Sequence, residues 1–250
     1  MVYGLWHSAA GLQAQQYRQA VITNNLANAS TPGFKSDRIA FQERLSAARG
    51  GGQHAPGHAT LDGLTGGVFV MPVYTDFSPS SINPSPNSLD VAISGDGFLA
   101  VQSPEGPRYT RDGRFHRTND GALIHGASGG AVLDTGGNPI VLDSNAAVKI
   151  DRRGRLSQNG EVVAQLELVD FADRGQLVKE GKNLFSGDKA RRIDAQGQIR
   201  QFATESSGVE PTSALVEMIA AARAYEVNAA MITMQNETLG LAVNEVGRIG

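Results

Sequence analysis

The sequence predicts an α+β fold in which both ends of the chain form a helical, coiled-coil domain and an antiparallel β-rich domain is inserted between them. Apolar residues recur at helical spacing near the amino terminus, and they alternate by three and four along the last 40 residues. From residue 89 onward, short apolar runs are separated by Asp-Gly, Gly-Gly and Asn-Gly pairs, which are typical of β-hairpins. The terminal domain is therefore predicted to be discontinuous in sequence.

The first predicted helix carries an apolar series made of Leu5, Ala9, Leu12, Ile22 and Leu26. Over residues 1–34 the only fully charged side chain is Arg18, whereas seven side chains are Gln or Asn. A solvated helix normally exposes charged side chains opposite its apolar stripe, whereas neutral amides suit a helix that protein covers on several sides. Docking on the chain's own domain remains open, but the pattern favours packing between subunits.

This helix is predicted to end at a fixed turn. Asn24, Asn25 and Asn28 weaken a helix interior and tolerate the left-handed geometry of a helix end. Pro32 then fixes φ at about −65°, and Gly33 is free to adopt a positive φ. The two residues together meet the requirement of a type II turn.

The stretch after the turn is predicted to be an extended connector. Glycine and proline are frequent over residues 49–58, and proline and serine are frequent over residues 78–88, which makes a compact helix improbable. The patterns divide the chain into a terminal helical assembly domain at 1–34 and 209–250, a connector at 35–88, and an inserted β domain at 89–208.

The β domain is predicted to begin where Leu89, Val91 and Ile93 alternate on one face of a strand. Hairpin signals follow at Asp112-Gly113, Asp120-Gly121, Gly136-Gly137, Arg153-Gly154 and Asn159-Gly160. Further strands are predicted at Leu123-Ile124, Val132-Leu133, Ile140-Val141-Leu142, Val148 to Ile150 and Val162 to Val169. Local, hairpin-linked strands of this kind predict an antiparallel sheet.

The last segment predicts a long helix that begins near Pro211, a residue that the first helical turn accepts. Its predicted heptad series is Leu215, Met218, Ala222, Tyr225, Ala229, Ile232, Asn236, Leu239, Val243 and Val246. Such a series needs another helix to cover it. The amino-terminal segment is the only candidate within the chain, so the two termini are expected to pair.

Composition excludes several classes of partner. The net charge of −3 gives no basic field for nucleic acid, and no run approaches the roughly 18 apolar residues of a membrane helix. The absence of cysteine excludes disulfides and thiolate metal sites. No apolar core of a secretory signal precedes Arg18, which taken alone would predict a cytoplasmic location.

No catalytic, cofactor or metal site is predicted. Ser128 lies in a G-x-S-x-G pattern, but a strand-forming sequence follows it and no histidine lies downstream. His54 and His58 lie in a glycine- and proline-rich loop, and the carboxylates of Asp170 and Asp173 have no clustered companion. A β-domain hydrolase that uses Ser128 is kept as a rival interpretation.

Three motifs carry a family resemblance: NNLANASTPGFK at 24–35, VAISGDGFLAV at 91–101 with RYTRDGRF at 108–115, and ALVEMIAAARAYEVNAAMIT at 214–233. They resemble, in order, the amino-terminal signature, the β-domain opening and the carboxyl-terminal helix of bacterial flagellar rod and hook proteins. The amino-terminal match comprises Asn24, Asn25, Leu26, Asn28, Gly33 and Phe34. The carboxyl-terminal match comprises Arg223, Ala224, Tyr225, Glu226 and Asn228.

The resemblance implies a structural subunit of the basal-body rod that polymerises with itself and with homologous rod and hook subunits. It also implies export through the flagellar type III apparatus without a cleaved signal, and a place in the rod that crosses the periplasm. The connector at 42–88 is shorter than in the best-known forms, so proximal, distal and hook-type positions stay open, as does a monomeric adaptor. The expected assembly interface comprises Leu5, Leu12, Ile22, Asn24, Asn25, Leu26, Asn28, Gly33, Phe34, Leu215, Met218, Ala222, Tyr225, Asn228, Ala229, Ile232 and Leu239.

Overall fold

The computed structural model describes residues 2–43, 68–143 and 146–247. The chain divides into two compact units, which we call the helical unit and the β unit. The helical unit contains Met1–Ala27, Asp37–Tyr74 and Glu210–Gly250, and the β unit contains Asn28–Ser36 and Thr75–Val209. The predicted α+β class is confirmed, because two terminal helices flank a region of antiparallel strands. The loop with His54 and His58 lies outside the described residues.

The helical unit is built on two long helices, α1 (Val2–Ala27) and α2 (Pro211–Gly247). Pro211 occupies the first position of α2, as predicted. Four short strands accompany the helices, namely β1 (Asp37–Arg38), β2 (Phe41–Glu43), β3 (Val68–Val70) and β4 (Tyr74–Thr75). β2 pairs antiparallel with β3, and β1 pairs with β4. No helix in the described part of the chain combines the length and apolar character needed to cross a membrane.

The turn after α1 has the predicted form. Phe34 donates its backbone N–H to the carbonyl of Thr31 at 3.3 Å, and Gly33 has φ of 68°. This places Pro32 and Gly33 at the two central positions of a turn that needs positive φ at its third residue. A Cβ on Gly33 would also lie 2.6 Å from the backbone carbon of Arg111, so this position accepts only glycine without a shift.

The β unit contains fifteen strands within its described residues. They are β5 (Ile82–Pro84), β6 (Val91–Ser94), β7 (Phe98–Ser103), β8 (Gly106–Thr110), β9 (Phe115–Arg117), β10 (Leu123–His125), β11 (Val148–Ile150), β12 (Arg155–Gln158), β13 (Glu161–Gln165), β14 (Leu168–Phe171), β15 (Val178–Gly181), β16 (Leu184–Ser186), β17 (Arg192–Asp194), β18 (Gln198–Gln201) and β19 (Ala203–Glu205), with a 3₁₀ turn at Arg174–Gln176.

The largest sheet has six strands in the order β15-β16-β8-β7-β14-β17. A three-stranded sheet has the order β11-β12-β13, and β9–β10, β6–β18 and β5–β19 form antiparallel pairs. The strands predicted at Val132-Leu133 and Ile140-Val141-Leu142 form only isolated bridges, one of which joins Leu133 to Pro139. Pro139 has no N–H to continue a ladder, so the pairing stops there.

Two apolar clusters fill the β unit. The first is aliphatic and includes Val91, Ile93, Leu99, Leu123 and Ile199. The second is aromatic and includes Phe77, Phe98, Tyr109, Phe171 and Phe185, whose neighbouring rings meet edge to face at 4.8–6.0 Å. Such pairs add about 0.5–1.5 kcal/mol beyond the burial of their surface.

Candidate assembly interface

The two helices of the helical unit run antiparallel. The side-chain nitrogen of Gln235 lies 3.4 Å from the hydroxyl oxygen of Ser8, and the hydroxyl of Thr23 lies 3.9 Å from the sulfur of Met218. As α1 advances from residue 8 to residue 23, its neighbour on α2 recedes from 235 to 218. The predicted pairing of the termini is therefore present within the chain.

The side chains at the contact between the two helices are mostly polar or small. A Cβ on Gly11 would lie 3.1 Å from the amide oxygen of Asn228, and a Cβ on Gly4 would lie 3.1 Å from the amide nitrogen of Gln235. The well-covered side chains of the two helices are Ser8, Ala14, Ile22, Ala214 and Ala221. Most of these side chains are small, so close approach of the backbones, rather than a large apolar area, defines this contact.

Two amide oxygens in the helix pair are buried without a hydrogen-bond donor among the described residues. They are Oε1 of Gln15 and Oε1 of Gln235. A buried polar atom without a hydrogen bond costs about 1–3 kcal/mol. Together with the small apolar area, this cost makes the isolated helix pair a weak structure.

Many of the large apolar side chains of the two helices face solvent instead. On α1, Trp6 is 69% exposed and Tyr17 is 46% exposed. On α2, the exposed fraction lies between 45% and 70% for Leu215, Val216, Ile219, Val227, Met231, Met234, Leu241 and Val243. An ordinary amphipathic helix pair buries its apolar residues, whereas this pair presents them. Exposed apolar surface on this scale marks an interaction site.

The predicted interface residues fall into three environments. On α1, Leu5, Leu12, Asn25 and Leu26 are half-buried, Ile22 is buried and Asn24 is exposed. On α2, Met218, Ala222, Tyr225, Asn228, Ala229, Ile232 and Leu239 are half-buried, and Leu215 is exposed. Asn28, Gly33 and Phe34 belong to the β unit, where Gly33 and Phe34 are buried.

Six members of the predicted heptad series are half-buried, namely Met218, Ala222, Tyr225, Ala229, Ile232 and Leu239, whereas Leu215, Asn236 and Val243 are exposed. Ala214 and Ala221, which are not members of the series, are buried more deeply. The amide side chains of Asn228 and Gln235 lie against Gly11 and Gly4 of α1. The side chain of Val246 lies outside the described residues.

The exposed apolar face of α2 was not predicted from the sequence, although a signal was present. Val227, Met234 and Leu241 are spaced by seven residues and form a second series beside the first. A helix with two such series is apolar on more than one side and needs more than one neighbour. Trp6 on α1 follows no series, and only its exposure identifies it.

Asn25 has a local role at the end of α1. Its side-chain amide donates to the carbonyl of Asp37 at 2.7 Å, and its amide oxygen accepts the N–H of Asp37 at 2.9 Å. The side chain thus imitates a strand pairing with the backbone of β1. This pair of hydrogen bonds fixes β1 to the last turn of α1 within the helical unit.

Ser128 has a closer histidine than the sequence order suggested. Nδ1 of His125 lies 2.8 Å from the Ser128 hydroxyl oxygen, and its Nε2 lies 3.6 Å from a carboxylate oxygen of Asp112. However, the backbone N–H groups of Ser128, Gly129 and Gly130 are engaged within the turn, at 3.3, 2.8 and 3.2 Å. These N–H groups are not free to stabilise an oxyanion beside this serine.

The remaining candidate sites are occupied by local interactions. The Asp170 carboxylate pairs with Arg174 at 2.7 Å, and Asp173 accepts the N–H of Gly175 at 2.9 Å in the 3₁₀ turn. Among the described residues, no cluster of three or more His, Cys, Asp or Glu side chains could hold a metal ion.

Three family descriptions match successive parts of the chain. Flagella basal body rod protein matches residues 5–35, flagellar hook protein FlgE/F/G D1 domain matches residues 92–164, and flagellar basal body rod FlgEFG protein C-terminal matches residues 200–245. The matches thus follow α1, part of the β unit, and α2.

Curated relatives are similar over almost the whole chain. The flagellar basal-body rod protein FlgG of Buchnera aphidicola subsp. Schizaphis graminum is 35% identical, over 96% of this chain and 98% of the relative. The flagellar basal-body rod protein FlgF of Caulobacter vibrioides is 34% identical, over 92% of this chain and 91% of the relative. The flagellar basal-body rod protein FlgG of Bacillus subtilis is 30% identical, over 98% of this chain and 99% of the relative.

Proposed function

The chain belongs to the flagellar basal-body rod proteins and is a structural subunit of the rod, and from this premise we propose that it polymerises through its terminal helices. The subunits packed in this way are further copies of the chain and homologous rod and hook subunits. The polymer forms part of the shaft that drives motility.

The exposed apolar face of α2 is the observation that carries the proposal. Burying one large aliphatic side chain contributes about 1.5–3 kcal/mol. Eight such side chains are 45–70% exposed on α2, so part of that contribution becomes available only when another helix covers them. Because the polar contact between α1 and α2 buries little, neighbouring subunits supply most of the stability of the helical unit.

Each domain predicted from the sequence has a role in the proposed polymerisation. In this proposal the predicted assembly domain, residues 1–34 and 209–250, acts through its helices α1 and α2, because residues 28–34 pack within the β unit. Residues 35–88 connect the assembly domain to the remainder, and residues 89–208 form the inserted β domain. The predicted interface residues on α1 and α2 line the contacts between subunits, together with the exposed residues Val227, Met234 and Leu241. Gly33 and Phe34 are buried in the β unit and support these contacts only indirectly.

The subunit reaches the basal body through the flagellar type III export apparatus, without cleavage of a signal, and the assembled rod crosses the periplasm. The single full charge in residues 1–34 and the weak contact between the helices support a terminus that travels unfolded. The chain binds no nucleic acid, requires no cofactor and does not insert directly into a membrane.

The subunit performs no catalysis. The geometry at Ser128 supports this, because the three backbone N–H groups of its turn already have acceptors. The short distance between Ser128 and His125 is the geometry of a side chain that stabilises a tight turn. A hydrolase based on Ser128 is therefore not favoured by the structure.

The decisive experiment replaces an exposed apolar side chain on α2 by a carboxylate. Val227→Asp places a charge on the proposed contact, so we expect normal expression and export but few complete basal bodies and non-motile cells. Val162→Asp is the matched control, because Val162 is 62% exposed on the β unit and Val227 is 61% exposed on α2. Electron microscopy of purified basal bodies and a soft-agar motility assay measure the outcome. Normal rods from Val227→Asp would contradict assembly through this face.

A further inference from the structure

The segment Asn28–Ser36 enters the β unit beside the segment by which the chain leaves it, residues 203–209. Gly33 donates its backbone N–H to the carbonyl of Glu205 at 2.8 Å, and Gly208 donates its N–H to the carbonyl of Phe34 at 2.7 Å. The two segments, far apart in sequence, therefore pair with each other through their backbones. We call them the entry segment and the exit segment.

A buried charge cluster joins the same two segments. Lys35 donates from Nζ to a carboxylate oxygen of Glu205 and to the carbonyl of Ser78, both at 2.7 Å. The other carboxylate oxygen of Glu205 lies 3.3 Å from Nη1 of Arg111. The side chains of Lys35, Arg111 and Glu205 are at most 1% exposed. Two cations thus share one carboxylate away from water.

The cluster makes each segment depend on the other. Burial lowers the pKa of both Lys35 and Arg111, and the Glu205 carboxylate opposes that shift. If the exit segment left with Glu205, two buried cations would lose their nearest counter-charge, and if the entry segment left, Glu205 would lose its closest donor. Removing one member of a buried ion pair is strongly destabilising, because the remaining charge is uncompensated.

Further hydrogen bonds and one ring contact hold the entry segment within the β unit. The side-chain amide of Asn183 donates to the carbonyl of Pro32 at 2.8 Å. The ammonium group of Lys179 donates to the carbonyl of Lys35 at 2.6 Å and lies 4.3 Å from the centre of the Phe34 ring. The entry segment is thus held on several sides and is an integral part of the β unit.

We propose that Lys35, Arg111 and Glu205 form a clasp that makes docking of the entry and exit segments mutually dependent, so that both are anchored or both are released. α1 ends at Ala27 and α2 begins at Pro211, each six residues from the backbone hydrogen bond between Gly33 and Glu205. The clasp therefore joins, within the β unit, the two points from which the chain continues into α1 and α2. This inference concerns the monomer and does not depend on polymerisation.

Amide hydrogen exchange on the full-length monomer tests the clasp in both directions. Lys35→Met removes the charge on the entry side and leaves the pair of Arg111 and Glu205. We expect exchange to accelerate by about tenfold or more in residues 203–209 as well as in residues 28–36. Lys149→Met, an exposed lysine on β11, is the matched control and should leave both segments unchanged.

Gly33→Ala probes the same dependence without altering a charge, because it strains the backbone that donates to Glu205. It too should accelerate exchange in residues 203–209 while residues 91–101 stay protected. Loosening of residues 28–36 alone, in either variant, would mean that the segments dock independently and would overturn the clasp. Loss of protection throughout residues 91–101 would also overturn it, because the cluster would then be part of the core rather than a separable device.

Discussion

Asp112 shows how the environment of a single side chain sets the response of the β unit to acid. Burial by itself raises the pKa of this carboxyl group, but hydrogen bonds from Arg114 and the nearby His125 more than offset it and lower the pKa to about 2. The guanidinium of Arg114 holds the two carboxylate oxygens at 2.9 and 2.6 Å. The native state therefore prefers the charged form more strongly than the unfolded chain does.

The first prediction follows from the sign of this shift. A depressed pKa stabilises the fold above the ordinary value of 3.8, and that contribution is lost as the pH falls from 3.8 toward 2. The difference corresponds to about 2 kcal/mol. The free energy of unfolding in urea, measured from about pH 5 to about pH 2, should fall as the pH falls in the native chain. The fall should be shallower in Asp112→Asn.

Asp120→Asn, an exposed carboxylate in the same unit, serves as the control and should retain the native slope. An unchanged slope in Asp112→Asn would show that other carboxylates carry the acid sensitivity. The contact between Asp112 and Arg114 would then have no measurable effect on stability.

Lys35 illustrates what residue patterns cannot predict. The turn at Pro32 and Gly33 follows from local chemistry, because only proline and glycine suit those backbone angles, and the structure confirms it. The burial of Lys35 depends on Glu205, which lies 170 residues away in sequence. Lysine is rarely fully buried unless it is paired, so no local signal distinguishes it from a surface residue.

At the scale of elements, the spacing of α2 predicted a helix that pairs with α1 but not its two most deeply buried residues, Ala214 and Ala221. Series with a three–four alternation can be drawn from either Ala214 or Leu215, and both include Met218 and Tyr225. Choosing between them requires knowing that α1 presents glycines, which favour close contact with small residues over contact with Leu215. Hydrophobicity alone therefore favoured the exposed Leu215 over the buried Ala214.

The second prediction compares a covered alanine on α2 with an exposed alanine on the β unit. Ala221 is fully buried, whereas Ala172 is exposed. Ala221→Leu adds three heavy atoms to a close helix contact, and overpacking of this kind costs about 1–3 kcal/mol. Helix propensity is similar for alanine and leucine, so the change acts through packing. Basal bodies from Ala221→Leu cells should be fewer and shorter than normal.

Ala172→Leu introduces the same side chain at an exposed position of the β unit and should leave the number and length of rods close to normal. Equal defects in the two variants would indicate that the added leucine impairs the rod independently of the contact between α1 and α2. Equal tolerance would indicate that the contact between α1 and α2 is absent from the assembled subunit.

At the scale of the whole molecule, the alternation of patterns along the sequence predicted both the fold class and the order of its parts. The change of pattern at Leu89 lies close to the start of β6 at Val91, although β5 (Ile82–Pro84) already belongs to the β unit, and the change near Pro211 corresponds to α2. Phe77 lies in the stretch predicted as a connector, yet it packs in the aromatic cluster of the β unit. A single aromatic residue among polar neighbours gives no periodicity, so the sequence offered no basis for placing it in a core.

The third prediction concerns the order of the two units before assembly. Fixing the backbone costs about 1–2 kcal/mol per residue, and the α1–α2 contact buries mainly small side chains and two unsatisfied amides. The β unit, by contrast, has two buried apolar clusters. In a dilute monomer, amide exchange should therefore be fast in residues 2–27 and 211–247 and slow in residues 98–110.

In purified rods, where neighbouring helices cover Val227, Met234 and Leu241, the terminal residues should become protected while the β unit changes little. Protection of both helices in the dilute monomer would show that α1 and α2 are stable as a pair, and folding on assembly would have to be abandoned.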